Sequence, residues 1–127
     1  MPFYQFTVPT GGVTLARKAE VAGAFARVHS AVTGAPATYV YCQFREVPAG
    51  STFVGGEATD GARLVGIIRS GRTEAVKREL LTRLGEAWAE VTGEPLESYA
   101  LWLHEVPGYQ MMEDGKLLPE AWQDALP

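Results

Sequence analysis

The feature that most constrains the fold is an internal repeat. The segment VTGAPATYVYCQFREVP (32–48) returns 59 residues later as VTGEPLESYALWLHEVP (91–107), ending on the same Glu-Val-Pro. The register extends backwards through matched glycines, threonines and apolar positions as far as Gly12 and Gly71. A chain of 127 residues is too short for two independent cores, so we expect two copies of one unit that share a single core.

Each copy contains the pattern of a capped helix with one buried face. In the first copy, apolar residues at 21, 25, 28 and 32 are spaced 4, 3 and 4 apart, and the second copy repeats this stripe from Leu80 to Val91. Thr14 and Thr73 are suitable N-caps, because a hydroxyl oxygen can accept a hydrogen bond from a first-turn N–H. Gly34 and Gly93, each followed two residues later by proline, predict the two helix ends.

Strand-like segments flank each predicted helix. They are residues 2–8 and 38–46 in the first copy, and residues 63–69 and 98–105 in the second. Strand, helix and strand make a βαβ unit, whose two strands lie parallel. We therefore predict one α/β (α+β) domain over residues 1–127, made of tandem βαβ repeats at about 2–50 and 61–109 plus a C-terminal segment. The Gly-rich FVGGEATDG between them is predicted to be a linker, since no helix follows it to make a phosphate site.

Two helices can cover only one face of a four-stranded sheet. In the last predicted strand, Leu101 and Leu103 point to one face, and Trp102 points to the other. A large aromatic side chain on the face without helices needs cover, and further copies of the chain are the expected source. The sequence thus predicts a homo-oligomer.

Composition and charge exclude several classes of protein. With a net charge of −4, the protein is not expected to attract nucleic acid or an anionic membrane surface. No apolar run approaches the ~20 residues that span a bilayer, and no signal peptide is recognisable. Cys42 is expected to be a small buried residue in a reduced, cytoplasmic protein, and two histidines with one cysteine give no metal-site spacing. We expect no metal and no cofactor.

The two copies differ at positions that could carry chemistry. His29 stands opposite Trp88 at the flank of the helical stripe, where it is either a satisfied core-edge residue or a site residue. Arg69 and Arg72 bracket the start of the second helix, where the first copy has no cation. Two guanidiniums beside a helix N-terminus can form a carboxylate-binding site. Two solvent-exposed loop arginines would explain the pattern equally well.

The N-terminus offers a second kind of chemistry. The chain begins Met1-Pro2, and removal of the initiator methionine before proline is usual. The released proline amine would titrate near ~8, within tuning range of neutral pH, and could act as an acid or a base. If Met1 is retained, Pro2 is amide-bonded and has no such chemistry.

These residues together resemble the tautomerase superfamily, and within it cis-3-chloroacrylic acid dehalogenase and its relatives. The resemblance covers nearly the whole chain through MPFY, VHSAVTG, FREVPAG, RSGR and EVPGYQMMEDGKLLP, in addition to the repeat. It implies that Pro2 is the catalytic proline and that His29 is a partner of the substrate carboxylate or of a water. It also implies that Arg69 and Arg72 bind the carboxylate and that Glu113 activates water. Without the resemblance, Glu113 would be read as a solvated loop acid. The implied assembly is a homotrimer.

One residue departs from the dehalogenase pattern, which has a tyrosine where this chain has Trp102. An indole N–H can donate a hydrogen bond but cannot accept one or exchange a proton as a phenol does, so water activation with Glu113 is in doubt. Trp102 is still expected to contact substrate. The first hypothesis is therefore a tautomerase that moves a proton between oxygen and carbon in a small 2-oxo or dienol carboxylate. The alternatives are a hydratase or dehalogenase of cis-3-haloacrylate-like acids, and a trimeric binding protein without catalysis.

Overall fold

The two repeats form two βαβ units that join edge to edge in one sheet. The computed structural model describes residues 2–125. The first unit consists of β1 (Phe3–Pro9), α1 (Leu15–Thr33) and β2 (Tyr41–Val47). The second consists of β5 (Arg63–Arg69), α2 (Glu74–Thr92) and β6 (Ala100–Val106). Each observed helix starts one residue after the predicted threonine cap, so the repeat predicted the element order correctly.

The sheet is mixed and has the order β2-β1-β5-β6. Strands β1 and β2 are parallel, as are β5 and β6, whereas the central pair β1 and β5 is antiparallel. The antiparallel seam joins the two units, and it places the start of β1 beside the end of β5, with Phe3 opposite Ile67. The beginning of the chain therefore lies near the loop that leads into α2.

Local chemistry fixes the helix ends in the same way in both repeats. The Thr14 hydroxyl accepts a hydrogen bond from the Arg17 N–H at 3.2 Å, and the Thr73 hydroxyl accepts one from the Val76 N–H at 3.3 Å. Gly34 closes α1 in the left-handed region at φ 80°, and its N–H donates to the Ser30 carbonyl. A side chain at that position would be strained, which explains the repeated glycine.

Both helices pack on one face of the sheet, and the core lies between them. Side chains at alternate positions of β1 and β5 meet the buried stripes of α1 and α2 there. The largest fully buried ones are Tyr4, Phe6, Phe25, Leu64, Ile68, Leu80, Leu84 and Trp88. The Phe6 ring stacks on Phe44 and Trp88 and meets Phe25 edge to face, so aromatic rings from both repeats share one core.

The opposite face of the sheet carries no helix in the part of the chain that is described. Trp102 pairs with Val65 on this face, and 49% of its surface is exposed. Tyr41 lies on the same face with 54% exposed. The predicted fold, two helices on one side of a four-stranded sheet, is confirmed. Coverage of the open face by further copies stays a prediction.

The connections contain small elements that the repeat did not predict. The Gly-rich linker folds into a two-stranded hairpin, β3 (Phe53–Val54) and β4 (Glu57–Ala58). A second hairpin follows the second repeat, β7 (Met112–Glu113) and β8 (Lys116–Leu117), and a 3₁₀ turn covers Ala121–Ala125. Over residues 2–125, neither helix has the apolar length that a bilayer crossing requires.

Candidate active site

A cavity of about 780 Å³ opens where the start of β1, the C-terminal half of α1 and the start of α2 meet. Its walls include five of the residues that the sequence singled out: Pro2, His29, Arg69, Arg72 and Glu113. They come from separate parts of the chain, and the antiparallel seam and the C-terminal hairpin bring them together. Pockets that gather several polar groups in a mostly apolar wall are typical ligand sites.

Pro2 sits at the edge of this cavity, just before β1. Its carbonyl oxygen accepts a hydrogen bond from the Tyr41 N–H at 2.9 Å, which ties the beginning of the chain to β2. The residue is partly exposed and lines the cavity. Met1 lies outside the described residues, and the prediction of its removal is not tested.

His29 is fully buried in the wall, beneath the cavity. Its Nδ1 lies 2.6 Å from the Tyr4 hydroxyl, while its Nε2 has no hydrogen-bond partner within residues 2–125. Burial, reinforced by the Arg72 charge, lowers the pKa of His29 from 6.5 to about 4, so the imidazole is neutral at pH 7. Burial raises the pKa of the Tyr4 phenol, so Tyr4 keeps its proton and can donate it to Nδ1. Nε2–H is then a neutral donor that is itself buried, on a residue of the cavity wall.

The two arginines are not equivalent. Arg72 is partly buried, and its Nη1 donates to the Arg69 carbonyl at 3.1 Å. Burial and the neighbouring Arg69 charge lower the pKa of Arg72, but an arginine keeps its charge at neutral pH. Arg69 already has a carboxylate partner from its own chain. Its Nη1 donates to Asp124 Oδ1 at 3.0 Å and to the Pro119 carbonyl at 2.9 Å, and its Nη2 pairs with Asp124 Oδ2.

Glu113 and Trp102 lie in different surroundings. Glu113 is on the short strand β7, partly buried, and lines the cavity. Trp102 is on the open face of β6 and is not among the residues that line the cavity. Within one chain Trp102 therefore does not reach this site, and its predicted contact with substrate would require a neighbouring copy.

Sequence reasoning missed Tyr4 and Asp124. Tyr4 could have been found. It lies two residues after Pro2, so the strand period places it on the same side of the sheet as Pro2, the side that α1 and His29 cover. Asp124 had no such signal, since it lies in the segment outside both repeats, 55 residues from Arg69. Among the described residues, no cluster of three metal-ligating side chains occurs.

The comparisons with known proteins bear on this arrangement. The sequence model of the family described as "Putative oxalocrotonate tautomerase enzyme" matches residues 1–121. The chain belongs to the tautomerase superfamily. N1, a member of the cis-3-chloroacrylic acid dehalogenase family, is 32% identical in sequence; the alignment covers 98% of this chain and 92% of N1, with a TM-score of 0.89.

Two further relatives extend the likeness within the tautomerase superfamily. The fused 4-OT known as F6, solved as an asymmetric trimer, is 27% identical over 91% of this chain and 94% of its own, with a TM-score of 0.84. The 2-hydroxymuconate tautomerase of Pseudomonas putida is 40% identical over 37 residues, which are 29% of this chain and 59% of that enzyme. The chain thus matches a little over half the length of that curated relative. The resemblance stated from the sequence is confirmed at the level of the superfamily.

Proposed function

We propose that this protein is a tautomerase that moves a proton between oxygen and carbon in a small 2-oxo or dienol carboxylate, using the amine of Pro2. The observation that carries the proposal is that one cavity is lined by Pro2, by Arg72 and by the neutral His29. An amine base, a cation for a carboxylate and a neutral hydrogen-bond donor are the groups that this reaction needs. Membership of the superfamily supports the proposal, because its relatives include a 2-hydroxymuconate tautomerase.

In the proposed reaction Arg72 binds the carboxylate and orients the enol. The unprotonated Pro2 nitrogen takes the proton of the enol hydroxyl. The C=C electrons then form a new bond to hydrogen at carbon, and the protonated amine of Pro2 supplies that proton. The oxygen becomes a carbonyl, and the neutral Nε2–H of His29 is suited to hydrogen-bond it as its charge changes. Proton transfer by a positioned base contributes ~10² to 10⁴ in rate.

Glu113 favours a second candidate, the hydration of a cis-3-haloacrylate-like acid. A carboxylate on the same cavity wall could take a proton from a water, which would attack the β-carbon while protonated Pro2 delivers a proton to the α-carbon. The likeness to N1 supports this alternative at the level of the family. It requires the opposite charge on Pro2 from the tautomerase, so the two candidates can be separated.

The test uses untagged protein whose intact mass has been measured. We expect loss of one methionine, and conversion of enol-phenylpyruvate to the keto form at a rate that falls steeply in Pro2→Ala. Wild-type rates in Pro2→Ala would refute the role of the proline. A retained Met1 together with no turnover of enols or of cis-3-haloacrylates would instead favour a binding protein that has kept the fold alone.

A further inference from the structure

Asp124 occupies the position at which the sequence led us to expect a substrate carboxylate. Its two oxygens face the two terminal nitrogens of Arg69, the fork-to-fork arrangement that makes arginine–carboxylate pairs specific. The Arg69 side chain is only 15% exposed, so the pair is shielded from solvent on the arginine side. Asp124 itself lines the cavity.

The segment that carries Asp124 is held in place by contacts of its own. We call residues 118–124 the C-terminal strap. Glu120 receives a hydrogen bond from the Ser70 hydroxyl at 2.6 Å and another from the Gly108 N–H at 2.7 Å. The Ala121 N–H donates to the Ser70 carbonyl at 2.9 Å. These bonds hold the strap against the loop between Arg69 and Arg72.

Two glycines leave room for the strap. A side chain at Gly71, which has φ 112°, would bring its Cβ to 2.9 Å from Cδ1 of Trp122. A Cβ on Gly108 would collide with the Pro119 carbonyl. At Gly71 and Gly108 the main chain therefore lies in close contact with the strap. These contacts fix the strap, and with it Asp124, in a defined position.

The pair changes the charge that a ligand meets. The charged side chains that line the cavity are two cations, Arg69 and Arg72, and two formal anions, Glu113 and Asp124. His29 is neutral, and the Pro2 amine is uncharged in the proposed reaction. A monocarboxylate can bind to Arg72 without a second charge to accommodate. The second carboxylate of a dianion would lie beside Arg69, whose charge Asp124 already neutralises. It would also be repelled by the negative charge of Asp124. The remaining walls are largely apolar and include Val32, Pro36, Val76, Met111, Leu118 and Trp122.

We propose that Asp124 is a specificity-determining residue: as an internal carboxylate on Arg69, it makes the pocket select monocarboxylates with an apolar remainder over dicarboxylates. This proposal rests on the proposed function for the identity of the site, and it names the substrate class. Enol forms of arylpyruvates belong to the selected class, and muconate-type diacids belong to the disfavoured one.

The experiment measures binding of two unreactive acids by calorimetry, so that it does not depend on turnover. The probes are 3-phenylpropanoate and adipate, and the proteins are wild type, Asp124→Asn, Asp124→Glu and the control Asp60→Asn, whose exposed aspartate lies in the linker. We expect wild type and Asp60→Asn to prefer 3-phenylpropanoate about tenfold or more, the effect of one charge-assisted interaction. Asp124→Asn should bind adipate about tenfold more tightly and lose most of the preference. Asp124→Glu should retain it.

An unchanged preference in Asp124→Asn, or a wild type that prefers adipate, would overturn the proposal. Loss of the preference in Asp124→Glu would also contradict it, because the charge is retained there. Enol turnover on the same proteins separates the two claims. Selective binding without turnover would refute the proposed function and support the role of Asp124. Turnover with no effect of Asp124→Asn on selectivity would support the proposed function and refute the role of Asp124.

Discussion

Acidification should destabilise this protein through His29 in particular. The side chain is fully buried, and burial, with help from the Arg72 charge, lowers its pKa from 6.5 to about 4. Between these values the unfolded chain binds a proton that the folded chain does not. A depressed folded-state pKa therefore contributes stability that is present above pH 6.5 and is lost as the pH falls toward 4.

The size of the effect follows from the two pKa values. At about 1.36 kcal/mol per pH unit, the difference between 6.5 and about 4 corresponds to about 3 kcal/mol in the free energy of unfolding. Most of it, about 2.5 kcal/mol, should be lost between about pH 7.5 and 4.5, before the folded-state histidine itself is half protonated. This is a large share of the stability of a domain of this size.

The assay is urea denaturation at about pH 7.5, 6.0 and 4.5, at one protein concentration, for wild type, His29→Gln and His104→Gln. His104 is exposed on the open face of β6 within one chain, so its replacement removes the other histidine without opening the core. Acidic residues also titrate in this range, but they contribute equally to all three proteins. We expect wild type and His104→Gln to lose about 2.5 kcal/mol more than His29→Gln on acidification. Equal losses in wild type and His29→Gln would show that the burial of His29 does not cause the acid sensitivity.

Three further changes probe other contacts. Tyr4→Phe removes the hydroxyl beside Nδ1 of His29 and should lower the free energy of unfolding by about 1–3 kcal/mol in urea titrations; no change would mean that the hydrogen bond contributes nothing. Arg72→Ala should lower kcat/KM for a carboxylate enol about tenfold or more. Arg78, whose side chain is 77% exposed, provides the control, and Arg78→Ala should leave kcat/KM unchanged. Equal kcat/KM in the two variants would show that Arg72 does not bind the substrate. Trp102→Gln should weaken self-association in sedimentation velocity, and an oligomer of unaltered size and affinity would contradict coverage of the open face.

The repeat predicted the fold well because the signals that define it are local. The cap at Thr73, the apolar stripe from Leu80 to Val91 and the turn at Gly93 act within a few residues of one another. Strand β5 (Arg63–Arg69) was predicted at its observed bounds. The repeat also predicted the pairing within each unit, since a βαβ unit leaves its two strands parallel.

The site was only partly predictable, because its contacts join segments that no short-range pattern connects. The approach of His29 to Tyr4 depends on how α1 packs across β1, and the pair is 25 residues apart. The pairing of Asp124 with Arg69 depends on a segment that has no counterpart in the first repeat. Trp102 shows a different limit, because its predicted contact lies between two copies of the chain and the structure of one chain does not test it.

The proposed tautomerase requires the amine of Pro2 to be a free base at the edge of this cavity. The most direct test is an NMR pH titration of protein produced without a tag and labelled with ¹⁵N-proline. We expect one titrating proline amine with a pKa below the ~8 of a free α-amino group, so that it is unprotonated at neutral pH. A value well above ~8, or a Pro2 nitrogen that does not titrate because it is amide-bonded, would contradict the proposed tautomerase.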